Sequence, residues 1–100
     1  MKLYRQGDVL LKRIDRLPNG CLQHKDNVIA QGEVTGHQHR FDSHQQVVFH
    51  QGDDLFVELE QETPLVHDEH KTILVSAGFF AVIREREYLP MLEKSARVMD

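Results

Sequence analysis

Apolar residues recur along this chain with a period of two, in short runs broken by turn residues. Residues 8–14 (DVLLKRI), 28–35 (VIAQGEVT), 46–50 (QVVFH) and 55–60 (LFVELE) each read as a strand. In 55–60, Leu55, Val57 and Leu59 share one face and Glu58 and Glu60 the other. In 28–35, the alternation places Val28, Ala30 and Val34 on one face. Leu17-Pro18-Asn19-Gly20 has turn chemistry, because proline fixes one φ and Asn-Gly tolerates a positive one. Gly52-Asp53-Asp54 between two strand runs predicts a hairpin. Residues 72–76 (TILVS) and 79–86 (FFAVIRER) flank Ala77-Gly78 and predict a second pair. Residues 90–97, opened by Pro90, are the one helical stretch in the pattern. A faint internal echo links Gln6-Gly7-Asp8-Val9-Leu10 to Gln51-Gly52-Asp53-Asp54-Leu55, each reading as a tight turn that feeds a strand.

These elements predict an all-β domain spanning residues 1–100. Its form is a small barrel or sandwich of about seven to eight short antiparallel strands with a short C-terminal helical segment. One hundred residues support one modest core and no second one. Segment 73–83 is apolar on both faces. A strand covered on both sides in so small a protein implies barrel closure or a subunit interface, so a homo-oligomer is expected.

Composition narrows the function classes. A net charge of −4 with scattered basic residues offers no stripe for a phosphate backbone, so nucleic acid is not an expected partner. No apolar run approaches the roughly 20 residues of a membrane span, and the opening stretch is interrupted by charges. The expected compartment is the cytoplasm, and the single cysteine, Cys21, fits a reducing one. No nucleophile elbow, phosphate loop or dinucleotide fingerprint is present.

Histidine is the unusual residue. Five of the seven fall in two windows, Gly36-His37-Gln38-His39-Arg40-Phe41 with His44 nearby, and Leu65-Val66-His67-Asp68-Glu69-His70. On a strand, His37 and His39 would project from one face. His67 and His70 would face opposite sides of a strand but could converge in a turn. The spacing is one residue short of the helical zinc-protease pattern. Imidazole suits Zn, Fe, Mn, Ni or Cu, and spacing does not choose among these divalent transition metals. His37, His39 and His70 are the leading ligand candidates, followed by His67 and His44. Glu69 is placed to serve as a ligand, as an acceptor for a histidine N–H, or as a general base at a catalytic metal. Whether the domain is an enzyme is left open, as is a small-molecule ligand.

The first window resembles the first motif of the cupins, small β-barrels that hold a metal with histidines. Gly32 precedes His37-Gln38-His39, His44 stands near the expected glutamate, and Gly52 follows. The second cupin motif is only partly matched, since Ser76 and Ala81 replace its proline and histidine around Gly78. The resemblance covers residues 32–81. It implies a β-barrel with inward histidines, in which His67 or His70 would supply the missing ligand. Two other readings fit the same residues. One is a non-enzymatic assembly module built on the 73–83 ribbon; the other is a pH-responsive binding protein using its histidines as the switch.

Overall fold

A computed structural model describes residues 3–31 and 36–84. Among them there are ten strands and no helix: β1 (Leu3–Gln6), β2 (Val9–Ile14), β3 (Leu22–Gln23), β4 (Val28–Gln31), β5 (Gln38–Phe41), β6 (Val48–Gln51), β7 (Asp54–Leu59), β8 (Thr63–Val66), β9 (Ile73–Val75) and β10 (Gly78–Arg84). They form a six-stranded sheet in the order β1-β2-β10-β7-β6-β3 and a four-stranded sheet in the order β4-β5-β8-β9. All pairings are antiparallel. The all-β reading holds. The six runs read as strands appear as β2, β4, β6, β7, β9 and β10, and β1, β3, β5 and β8 raise the count above seven or eight. No pairing among the described residues joins the two sheets into a closed barrel. The helical stretch expected at 90–97 lies outside the described residues.

Both echoing Gly-Asp segments are the same turn. Gln6 pairs with Val9 and Gln51 with Asp54, which leaves two-residue loops, Gly7-Asp8 and Gly52-Asp53. Each glycine sits at φ 60°, and no non-glycine residue has a positive φ among those described. A positive φ at the first loop position alone is the type II′ arrangement, whose twist matches that of the flanking strands. The hairpin expected at Gly52 is therefore present.

The pair expected across Ala77-Gly78 is not. Gly78 has φ 148° there, and the chain crosses between sheets. β9 pairs with β8, while β10 inserts between β2 and β7. An apolar run on either side of a glycine is equally compatible with a hairpin and with a crossover, and the central slot in the larger sheet decides the matter. The face assigned to Val28 and Ala30 also changes, while Val34 lies outside the described residues. A register shift between Val28 and Ala30 buries the adjacent Ile29 and Ala30 together, as a bulge does by placing two residues opposite one.

The core lies between the sheets. Val9, Leu11, Val48, Val57 and Phe80 come from one sheet, and Ile29, Phe41, Leu65 and Val75 from the other. Phe80 lies opposite Val57, which lies opposite Val48, so one row crosses three strands of the larger sheet. Tyr4 ties its edge to the smaller sheet: its hydroxyl donates to Ser76 Oγ at 2.9 Å and accepts the Ser76 N–H at 3.1 Å. That latch brings the β1–β2 turn beside the segment after β8, and there the second histidine window meets the first.

Candidate metal centre

β5 turns His39 and Phe41 inward and Arg40 outward. His39 is almost fully buried, at 1% exposure. Its Nδ1 lies 2.9 Å from Oε1 of Gln6, itself buried at the end of β1. The Gln6 amide has a fixed orientation, because its Nε2 donates to the carbonyls of Leu65 (2.8 Å) and Lys71 (3.0 Å). Oε1 must then accept, so Nδ1 of His39 carries the proton and Nε2 keeps a bare lone pair. Burial, reinforced by the neighbouring His67, pushes the His39 pKa from 6.5 down to about 4, with a smaller opposing pull from Asp8. The ring is neutral at physiological pH, as a metal ligand must be.

β8 ends at Val66, and the next four residues bend back on themselves. Nδ1 of His67 accepts the backbone N–H of Glu69 at 3.0 Å and of His70 at 3.3 Å. This turn brings the His67 and His70 rings to 4.5 Å and sets His67 4.3 Å from His39, measured between ring centroids. His39 and His70 lie 5.8 Å apart and nearly parallel. One ligating atom from each of His39, His67 and His70 falls within 4.8 Å of the others, so the group could hold a metal ion.

His37 stands outside that trio. It precedes β5, so the period of two that aligns i and i+2 does not hold it. Its Nδ1 faces Glu69 Oε1 at 3.3 Å and its Nε2 faces Asp68 Oδ2 at 4.0 Å, and its ring lies edge-on to His67 at 5.8 Å between centroids. Glu69 is exposed and is placed against His37. His44 is elsewhere, in a surface depression with Asp42, Ser43, Glu60 and Glu62.

The third wall is the Gly7-Asp8 turn. A Cβ on Gly7 would lie 2.5 Å from Nε2 of His70, so only glycine lets the histidine sit this close. Asp8 Oδ1 lies 3.5 Å from His39 Nε2. Asp8 Oδ2 accepts from Arg84 at 2.8 Å (Nη2) and 3.3 Å (Nε). Burial raises the Asp8 pKa, but the hydrogen bonds and charge of Arg84 outweigh it and hold the carboxyl below the usual range. Sequence reasoning saw Gln6-Gly7-Asp8 as a turn and Arg84 as one of several alternating charges. Nothing in a linear pattern says that this turn abuts a residue more than sixty positions away.

The depressed His39 pKa has a stability consequence. In the unfolded chain His39 takes up its proton near pH 6.5, whereas in the folded protein it does so near 4. The unfolded state therefore binds more protons between these values. The metal-free protein should lose about 3 kcal/mol of stability from this group as pH falls from 6.5 to 4, and none from it above 6.5. Denaturant midpoints across that window check this against His39→Gln, whose profile should be flatter; identical profiles would contradict it.

Residues 5–85 match a family model described as Domain of unknown function (DUF8820). Neither the curated proteins nor the solved structures contain a match to the chain.

Proposed function

The chain belongs to the DUF8820 family, and we propose that it is a metal-binding β-domain whose ligands are His39, His67 and His70. The observation that carries this reading is the convergence of three imidazoles on one point. One of them, His39, is buried, neutral and held by Gln6 in the tautomer that leaves Nε2 free. A buried imidazole with an unprotonated nitrogen facing two further rings has little to gain as a purely structural group, since an apolar residue would fill the space without the desolvation cost. Gln6 supplies the outer hydrogen bond by which metal-ligating histidines are oriented. The donor set suits Zn, Fe, Mn, Ni or Cu in the divalent state. Three protein ligands would leave a coordination position open, as in catalytic sites. There a bound ion supplies Lewis acidity, while Asp8, steadied by Arg84, stands 3.5 Å from His39 Nε2 as a carboxylate able to hold or accept a proton.

The test is direct. Untagged protein stripped with chelator should rebind one ion per chain from at least one of the five metals. His39→Ala and His70→Ala should each weaken binding by about 100-fold or more, above the effect of losing an outer hydrogen-bond partner. His44→Ala should leave it unchanged. Stripped protein that takes up none of the five metals would end this reading.

A further inference from the structure

We propose that the turn at residues 67–70 is a metal-responsive element, closed by His67 in the metal-free protein and opened when His67 ligates an ion. The inference rests on the metal-site reading above and goes beyond it to how that site signals its occupancy.

A neutral imidazole carries one proton and one lone pair on its two ring nitrogens. In the folded chain, Nδ1 of His67 spends its lone pair on the backbone N–H groups of Glu69 and His70. The proton is therefore on Nε2. A metal ion also needs a lone pair. If it takes Nε2, the proton moves to Nδ1, where it points at two N–H donors. If it takes Nδ1, the ion occupies the acceptor itself. Ligation by the neutral ring costs both turn bonds whichever nitrogen is used.

His39 is the opposite case. Its Nδ1 donates to Gln6, so its Nε2 is already in the ligating form and needs no rearrangement. The site thus contains one preset ligand on β5 and one conditional ligand on a turn. The His39 and His70 rings stand 5.8 Å apart between centroids. The turn is exposed while β5 is locked in a sheet between β4 and β8, so adjustment on ligation falls to the turn.

The turn carries cargo. Asp68 and Glu69 present their carboxylates to His37 at 4.0 and 3.3 Å. Breaking the His67 acceptor bonds frees the backbone of Glu69 and dissolves that arrangement. Arrival of the ion in the site is then reported at an acidic surface turn.

Isotope-labelled, metal-free protein titrated with zinc alone tests this by NMR of the ring nitrogens and amides. In the metal-free state His67 should show a protonated Nε2 and a bare Nδ1, and His39 the reverse. At saturation the amides of Glu69 and His70 should exchange about tenfold faster, the effect of losing one net hydrogen bond each. Ligand binding ordinarily slows exchange nearby, so the sign is diagnostic. His67→Asn keeps an oxygen that accepts the same N–H groups in an Asx-type turn but is a poor zinc ligand. In that variant, zinc held by the remaining histidines should leave both amides unchanged. Zinc binding that requires His39 but leaves both amides unchanged or slowed in the unsubstituted protein would overturn the inference and leave the metal site standing. A metal-free His67 protonated on Nδ1 would also overturn it. Protein that binds none of the five metals, with the His67 tautomer as described, would remove the metal site and the responsive role together.

Discussion

Replacing Gly7 with alanine is expected to weaken metal binding by about tenfold or more, while the same change at Gly52 leaves it intact. The two glycines occupy the same position of the same turn, both at φ 60°. Alanine at either site should therefore cost a similar conformational strain, about 1–3 kcal/mol. The surroundings differ. A Cβ at Gly52 meets nothing within 4 Å, whereas at Gly7 it lies 2.5 Å from His70 Nε2 and 2.9 Å from its Cδ2. The histidine ring must swing away from the cluster, which removes one of three ligands from its place. Thermal midpoints should fall alike in the two variants, and isothermal titration with zinc should separate them. Equal affinities in Gly7→Ala and Gly52→Ala would show that the Gly7 turn does not shape the site.

Gln6→Leu is expected to be the most destabilising single change at the site, by about 3 kcal/mol, and to lower metal affinity by roughly 10–100-fold. The glutamine amide is nearly fully buried and makes three hydrogen bonds, two as donor to the Leu65 and Lys71 carbonyls and one as acceptor from His39. Leucine fills similar space and leaves those groups without that partner. It also frees His39 to adopt the other tautomer, which turns a proton toward the ion. Gln6→Glu separates the two effects. Its carboxylate still accepts from His39 but faces two carbonyls it cannot satisfy. Affinity should then recover in part while stability stays low. A Gln6→Leu protein that unfolds at the same denaturant concentration as the parent would show that this network contributes nothing to the fold.

Sequence reasoning captured the fold class because antiparallel strands write a period of two into the chain. The turns at Gly20 and Gly52 were visible because a positive φ restricts residue choice. Strand 55–60 kept its faces: Val57 and Leu59 are buried and Glu60 is exposed. What failed was pairing. Residues 73–83 looked like one hairpin ribbon, yet Ile73–Val75 and Gly78–Arg84 serve different sheets. Pairing depends on which edges are free once the whole chain has collapsed, and no local pattern encodes that. β10 is a central strand between β2 and β7, with Phe80 fully buried and its other residues half-buried.

The two histidine windows show the same division. Their residue type and density made a metal the leading idea, and the turn-like character of VHDEH allowed His67 and His70 to converge, as their rings do at 4.5 Å. The chain alone could not rank the individual histidines. It put His37 beside His39 on the strength of strand periodicity, but the ladder begins only at Gln38. His37 is therefore free to turn toward Asp68 and Glu69.

By itself the sequence determined that this is a β-protein, where it turns, and that imidazole is its distinctive chemistry. These follow from properties each residue carries locally: side-chain alternation, backbone permissiveness and ring nitrogens. Tertiary structure decided which histidines meet, that Gln6 sets the tautomer of one and the 67–70 backbone that of another, and that Asp8 and Arg84 stand beside them. Apart from the local bonds that set His67, hydrogen bonds spanning 33 to 76 positions make those decisions. Their partners are chosen by how two sheets pack, a property of the whole chain that no segment of it contains.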